Sequence, residues 1–390
     1  MAESIDRRGF IKKVGKVLAA GTLAASGLEA AVGAKETVMK PASQENRKGV
    51  RHPRIKAYLS NNPRCRATWR YAATGQVEEL DSYPTLVADF TGLPCAGSWK
   101  VGMTVLDRDQ RKLASPESAA DSQNGHIHWS HKLDEPLVNP YTIQVWSRQG
   151  SYFFEQTMGL PVYHLSGKVT DFGGKPIGGA IVKANGVPGI VTTIDPGGNY
   201  ELRLPDTHIP ALMAYDSGYG KTTLECWAYD YWPQGDLVLD MRIGQIELYE
   251  LRAWSGYCGI KADFLPMSIG LVNAISAEGK SGGKAKTFSP RLSLEDIEVT
   301  LDGKAADILA IDSREEIQQS GGTAGQPSYS RREYSLQAAD PGASSGVTRG
   351  TNQVLRIALT HECKADGRSL IEHGEGFYLG LRSGLGVSGG

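Results

Sequence analysis

The chain carries almost no net charge. Its 42 Lys and Arg nearly balance 43 Asp and Glu, leaving −1 at neutral pH. No global basic field therefore argues for a nucleic-acid partner. None of the five cysteines (Cys65, Cys95, Cys226, Cys258 and Cys363) stands in a Cys-x-x-Cys pair. The Gly-x-Ser-x-Gly spacing occurs at Gly279–Gly283, Gly342–Gly346 and Gly386–Gly390, each within a Gly- and Ser-rich stretch rather than between the apolar strand and helix that a nucleophile elbow joins. Gly220-Lys221-Thr222 has the tail of a phosphate loop, but Tyr215 occupies the place of its first glycine. Asp230, Asp236, Asp240, Glu247 and Glu250 are acidic neighbours in sequence. No spacing among them singles out a glycosidase-like pair, whose geometry is set by the fold. Long charged amphipathic runs are scarce, and no fixed-period repeat is present.

What the chain has in quantity is turn-formers and aromatics: 47 Gly, 19 Pro, 16 Tyr and seven Trp. This composition favours many short strands over helices. The reading is an all-β protein of three tandem β-sandwich modules, immunoglobulin-like or transthyretin-like, behind a cleaved export signal. Residues 53–160 form the first. Its strands include Thr85–Phe90, Trp99–Leu106 and Tyr141–Trp146, the last alternating with Tyr141, Ile143 and Val145 on one face. The order Gly125-His126-Ile127-His128-Trp129, a turn, then Asn139-Pro140-Tyr141-Thr142-Ile143 is similar to the closing hairpin of small immunoglobulin-like domains of bacterial exported proteins.

The N-terminus reads Asp6-Arg7-Arg8-Gly9-Phe10-Ile11-Lys12, followed by an Ala- and Gly-rich stretch to about Leu28. This resembles the twin-arginine export signal, with Arg7 and Arg8 as its paired arginines. Val32-Gly33-Ala34 supplies small residues for cleavage, so the mature chain is expected to begin at Lys35. Lys16 and Glu29 bracket only twelve uncharged residues, too few for a membrane span of roughly 20. The resemblance implies the twin-arginine translocase as a partner during export, a periplasmic or extracellular location, and no transmembrane anchor in the mature chain. Residues 35–52 are polar and locally basic, and read as a linker. Outside the cell, Cys65–Cys95 and Cys226–Cys258 are candidate disulfides with Cys363 left over; the competing reading is small buried thiols.

Residues 162–243 form the second module. Gly167-Lys168-Val169-Thr170-Asp171, then Gly174-Lys175-Pro176-Ile177-Gly178-Gly179-Ala180-Ile181-Val182, then Thr193-Ile194-Asp195-Pro196-Gly197-Gly198-Asn199-Tyr200-Glu201-Leu202 follow in order. This resembles the carboxypeptidase regulatory-like domain, a seven-stranded transthyretin-like sandwich, with Ile194 interrupting the family's Thr-Asp pair. The resemblance implies a scaffold and carries over no catalytic residue. Independently, Tyr200, Leu202 and Leu204 alternate inward on a strand after a Gly-rich turn.

Residues 244–390 are expected to be a third, β-rich module. Gln245–Arg252, Glu298–Asp302, Val354–Thr360 and Gly376–Leu381 are strand-like, and Phe264–Ile275 reads as a buried strand pair or one short helix. Two inserts, 278–287 and 313–351, are expected to be mobile loops.

Three groups carry candidate chemistry. His126 and His128 share a strand face and suit a metal, with His131 one turn on; the alternative is exposed polar residues beside a core Trp129. His361 and Cys363 share another face, and a hairpin would add His373 and Glu375. Trp227, Tyr229, Asp230, Tyr231 and Trp232 form an aromatic stretch with an acid inside it, expected either to contact a ligand or to fill a module interface. Trp227, Tyr229 and Tyr231 are expected on one face, with Asp236 as a further acceptor. No cofactor is expected beyond a candidate metal ion. The function read from these features is an exported scaffold or binding protein recognising a glycan, a surface polymer or a protein partner. The alternative is an exported enzyme or enzyme subunit, metal-dependent and polysaccharide-acting, with its site in the C-terminal module. The sequence does not decide whether the chain is an enzyme, though it leans against it.

Overall fold

The computed structural model describes residues 52–70, 75, 77–256, 259–278, 286–318, 329–341, 352–365 and 368–382. The export segment, the linker up to Arg51, and Cys258 lie outside these residues. The fold is all-β, with one α-helix, Ile269–Glu278, among the described residues. No helix among them is long and apolar enough to cross a membrane.

The N-terminal module packs two antiparallel sheets. Arg54–Ser60, Thr85–Thr91 and His126–Lys132 form one; Tyr152–Gly159, Thr142–Gln149 and Gly97–Leu106 build the other, extended by two short strands. Alternation sends Leu86, Ala88 and Phe90 inward against Trp99, Val101, Met103 and Ile143. His126–Lys132 and Thr142–Gln149 lie in opposite sheets, so the expected closing hairpin is not formed. Burial decides this: Ile127 with Trp129 and Ile143 with Val145 fill the same core from its two sides. A separate hairpin, Cys65–Arg70 with Val77–Ser82, leaves the sandwich. Its Cys65, Ala67 and Leu80 cover Ile181, Met213 and Tyr215 of the next module. The Asn62 amide also brackets that module's Arg203 backbone, donating to its carbonyl at 2.8 Å and accepting its N–H at 2.7 Å.

The middle module is a second sandwich. Val162–Thr170 pairs with Asn199–Pro205 and with Leu237–Val238 and Met241–Arg242; the facing sheet runs Val191–Thr193, Ile181–Asn185, Ile209–Tyr215, Cys226–Tyr231. Tyr200, Leu202 and Leu204 are buried between the sheets, and the Tyr200 hydroxyl donates to Leu239 O at 2.6 Å.

The last strand, Arg368–Arg382, belongs to two modules at once. It pairs in parallel with Cys226–Tyr231 and antiparallel with Asn352–Ala365. Phe377 and Leu379 therefore lie in the middle module's core. In the C-terminal module, Ile246–Gly256, Gly259–Ser268 and Tyr329–Ala338 pack over Ile297–Leu301, Asn352–Ala365 and the shared strand. Phe264–Ile275 divides between the end of a strand and the helix.

The described residues of the expected loop 313–351 include strand. Ile308–Gln318 and Tyr329–Ala338 form a hairpin. Tyr334 and Leu336 alternate into the core while Glu315–Arg332 and Glu316–Arg331 pair across the strands at 2.8 Å each. These charged residues of the insert are cross-strand partners. Residues 279–285, 319–328 and 342–351 lie outside the described residues.

Cys65, Cys95, Cys226 and Cys363 are free thiols. Cys65 and Cys226 are buried apolar contacts, and the Cys95 thiol donates to Gln149 Oε1 at 2.7 Å. Cys65 packs on the middle module and Cys95 on the N-terminal core, so the Cys65–Cys95 disulfide is not formed.

Candidate functional site

The aromatic stretch on Cys226–Tyr231 does not behave as one surface. Cys226 and Ala228 face the middle core; Trp227 and Tyr229 face away from it. Regular alternation would put Tyr231 with Trp227 and Tyr229. Instead Tyr231 is buried in the middle core beside Ile209, its cross-strand partner. The phase turns over at Asp230, whose φ is 57°, opposite Pro210. Proline offers no N–H to the ladder, and the left-handed residue rotates the chain about its axis. Tyr231 thus leaves the expected shared face.

Trp227 and Tyr229 are half-buried and stack on each other at 5.7 Å between centroids; Trp227 also meets Tyr249 at 6.0 Å. The Tyr229 hydroxyl donates to Leu248 O at 3.0 Å, across the module seam. These two aromatics are interface.

Trp232 is different. It is 41% exposed and lies over His208, with ring centroids 4.8 Å apart. His208 Nε2 is 2.7 Å from Asp230 Oδ1, and the Tyr378 hydroxyl donates to Asp230 Oδ2 at 2.7 Å. Burial, then this bond, pushes the Tyr378 phenol above its usual range. A Cβ at Gly380 would run into Asp230 Oδ2, so glycine is required for the acid to sit there. His208, just before Ile209–Tyr215, and Tyr378 on Arg368–Arg382 thus fix the Asp230 carboxylate of Cys226–Tyr231 beside one exposed indole. Sequence reasoning missed His208, Tyr378 and Gly380, because they come from distant segments with no shared motif. Asp236 is engaged elsewhere, accepting the His164 N–H at 2.8 Å.

The metal candidates separate. His126 and His128 are exposed on one face with Asp89, which lies 2.8 Å from His128 Nδ1 and 3.8 Å from His126 Nε2. His131 has opposite parity and stacks on Trp129 at 6.0 Å. The pairing of Asn352–Ala365 with Arg368–Arg382 sets His361 opposite Glu372 and Thr360 opposite His373. His361 and Cys363 thus face away from His373 and Glu375, and the expected cluster does not assemble. Among the described residues, no three His, Cys, Asp or Glu side chains are arranged to hold a metal.

Each of these groups has another role. Glu372 caps the helix, accepting the Gly270 N–H at 2.8 Å and the Ser268 hydroxyl. Cys363 is fully buried, and burial raises its thiol. Burial likewise lowers His361. Glu375 bridges Arg242 and Arg356 at 2.6 and 2.8 Å, and Arg242 lies over Phe172, which stacks on His373.

No family model matches the chain, and no curated protein matches it. Three of the solved structures it is similar to are the following. One is a "putative carbohydrate binding protein" from Bacteroides uniformis ATCC 8492, 15% identical, covering 54% of this chain and 95% of that one, with TM-score 0.18. Another is a DUF3823 family protein from Parabacteroides merdae ATCC 43184, 11% identical, covering 56% and 98%, with TM-score 0.18. The third is the major pilin subunit of Bacillus cereus, 8% identical, covering 56% and 69%, with TM-score 0.17. At these TM-scores the similarities assign neither ligand nor activity to this chain.

Proposed function

We propose that this protein is an exported, non-enzymatic β-sandwich scaffold that binds carbohydrate at Trp232. The observation that carries the reading is an exposed indole fixed beside an oriented carboxylate, Asp230, by His208 and Tyr378. The apolar C–H face of a pyranose matches a flat aromatic ring, and its hydroxyls donate to carboxylates. Trp is also among the side chains enriched where truncation removes binding energy. The paired Arg7 and Arg8 and the cleavage-like Val32-Gly33-Ala34 support a periplasmic or extracellular site of action. The scaffold role also agrees with the resemblance of residues 162–243 to the carboxypeptidase regulatory-like domain.

Affinity electrophoresis of the full chain through gels containing a panel of soluble polysaccharides tests this. At least one polysaccharide is expected to retard the wild-type protein and to leave Trp232→Ala unretarded. Equal mobility of the two proteins in every gel contradicts the proposal.

A further inference from the structure

The seam between the middle and C-terminal modules holds two carboxyls that the Trp232 site does not use. Glu225 precedes the strand Cys226–Tyr231, and Glu247 is the second residue of Ile246–Gly256. They are 8% and 0% exposed. The two carboxyls are near enough to act on one another. Yet Glu225 Oε2 and both oxygens of Glu247 lack a well-formed hydrogen bond among the described residues.

The surroundings do not neutralise two negative charges. From the turn before Cys226 comes Tyr219, which acts on Glu225; from Ile246–Gly256 comes Tyr249, which acts on Glu247; from Cys226–Tyr231 comes Tyr229; the first two phenols favour the ionised carboxyls but carry no positive charge. Lys183, which lies over the Tyr215 ring at 5.1 Å, is the cation that acts on Glu225. Two carboxylates sharing a dry site cannot both ionise without large cost. Burial raises both carboxyls, Glu247 strongly and with Glu225 as its second cause.

Their position makes this consequential. Leu224 N–H donates to Gly244 O at 2.8 Å, and Gln245 N–H donates to His373 O at 2.7 Å. A Cβ at Gly374 would run into Ile246 O. The backbones of three segments therefore close on one another next to the acid pair. We infer that Glu225 and Glu247 form a proton-held lock between the middle and C-terminal modules, closed while the pair keeps a proton and loosened when both carboxylates ionise. The sign follows from linkage: a carboxyl raised on folding contributes stability that is complete below its unfolded pKa and is lost as pH rises through its folded pKa.

Hydrogen exchange of the full chain, corrected for intrinsic rates, tests the lock without any variant. Protection at Leu224–Ala228 and Ile246–Leu248, taken relative to the N-terminal core strand Thr85–Thr91, is expected to fall at least about tenfold from mildly acidic to mildly alkaline pH. A flat ratio overturns the inference. Glu247→Gln and Glu225→Gln, isosteric and neutral, are each expected to abolish most of that fall. If the fall persists in both variants, it belongs to another buried acid at the seam and the lock is refuted. Glu372 and Glu375 are those acids; burial holds Glu375 at about 7 against the opposing charge of Arg242.

Discussion

Asp230 shows how one backbone angle divides a run of aromatics into core, interface and surface. With φ at 57°, it turns Tyr231 into the middle core and leaves Trp232 outside on His208. Left-handed geometry in a non-glycine residue costs about 1–3 kcal/mol and persists where surrounding contacts over-determine it. Here the contacts are His208, Tyr378 and the space at Gly380. Gly380→Ala is therefore expected to displace the carboxylate, destabilise the fold by about 1–3 kcal/mol, and abolish polysaccharide retardation. Urea unfolding and gel mobility on the same preparation check both effects. Tyr200→Ala tests the core in the same way. It removes a ring 4% exposed and the donor to Leu239 O, and is expected to cost about 3–5 kcal/mol.

The shared strand Arg368–Arg382 is the element that makes the middle module depend on a segment far along the chain. Phe377 and Leu379 complete the core around Tyr200 and Leu212. A fragment of residues 162–243 lacks them, and is expected to give a broad, weakly cooperative melt by circular dichroism. Phe377→Ala in the full chain is expected to cost about 3–5 kcal/mol. A sharp melt for the fragment contradicts this dependence. Sequence pattern reached local elements: Thr85–Thr91, Gly97–Leu106 and Asn199–Pro205 are strands because their apolar residues recur at period two. It did not reach strand partners. His126–Lys132 and Thr142–Gln149 alternate just as clearly, yet nothing local tells which sheet each joins. The hairpin at Ile308–Gln318 was hidden because its Glu and Arg residues read as solvated charge until their partners are known. The exposure of Trp232 agrees with the turn-forming residues Pro233-Gln234-Gly235 that follow it. His208 and Tyr378 were not legible, since a tertiary contact across 148 positions leaves no local pattern.

On the scale of the whole molecule, three β-rich modules are joined by different means. Asn62 and the Cys65–Ser82 region clamp the first to the second, and a common strand with the Glu225–Glu247 pair joins the second to the third. The proposal separates binding from stability at two tryptophans five residues apart. The direct test measures polysaccharide affinity and thermal unfolding together on Trp232→Ala and Trp227→Ala. Trp232→Ala is expected to lose binding at least about tenfold while changing stability by about 1 kcal/mol, the scale of one aromatic contact. Trp227→Ala is expected to lose about 2–4 kcal/mol of stability and keep wild-type affinity in its folded fraction. Unchanged affinity in Trp232→Ala, or a binding loss confined to Trp227→Ala, would contradict the assignment of the site.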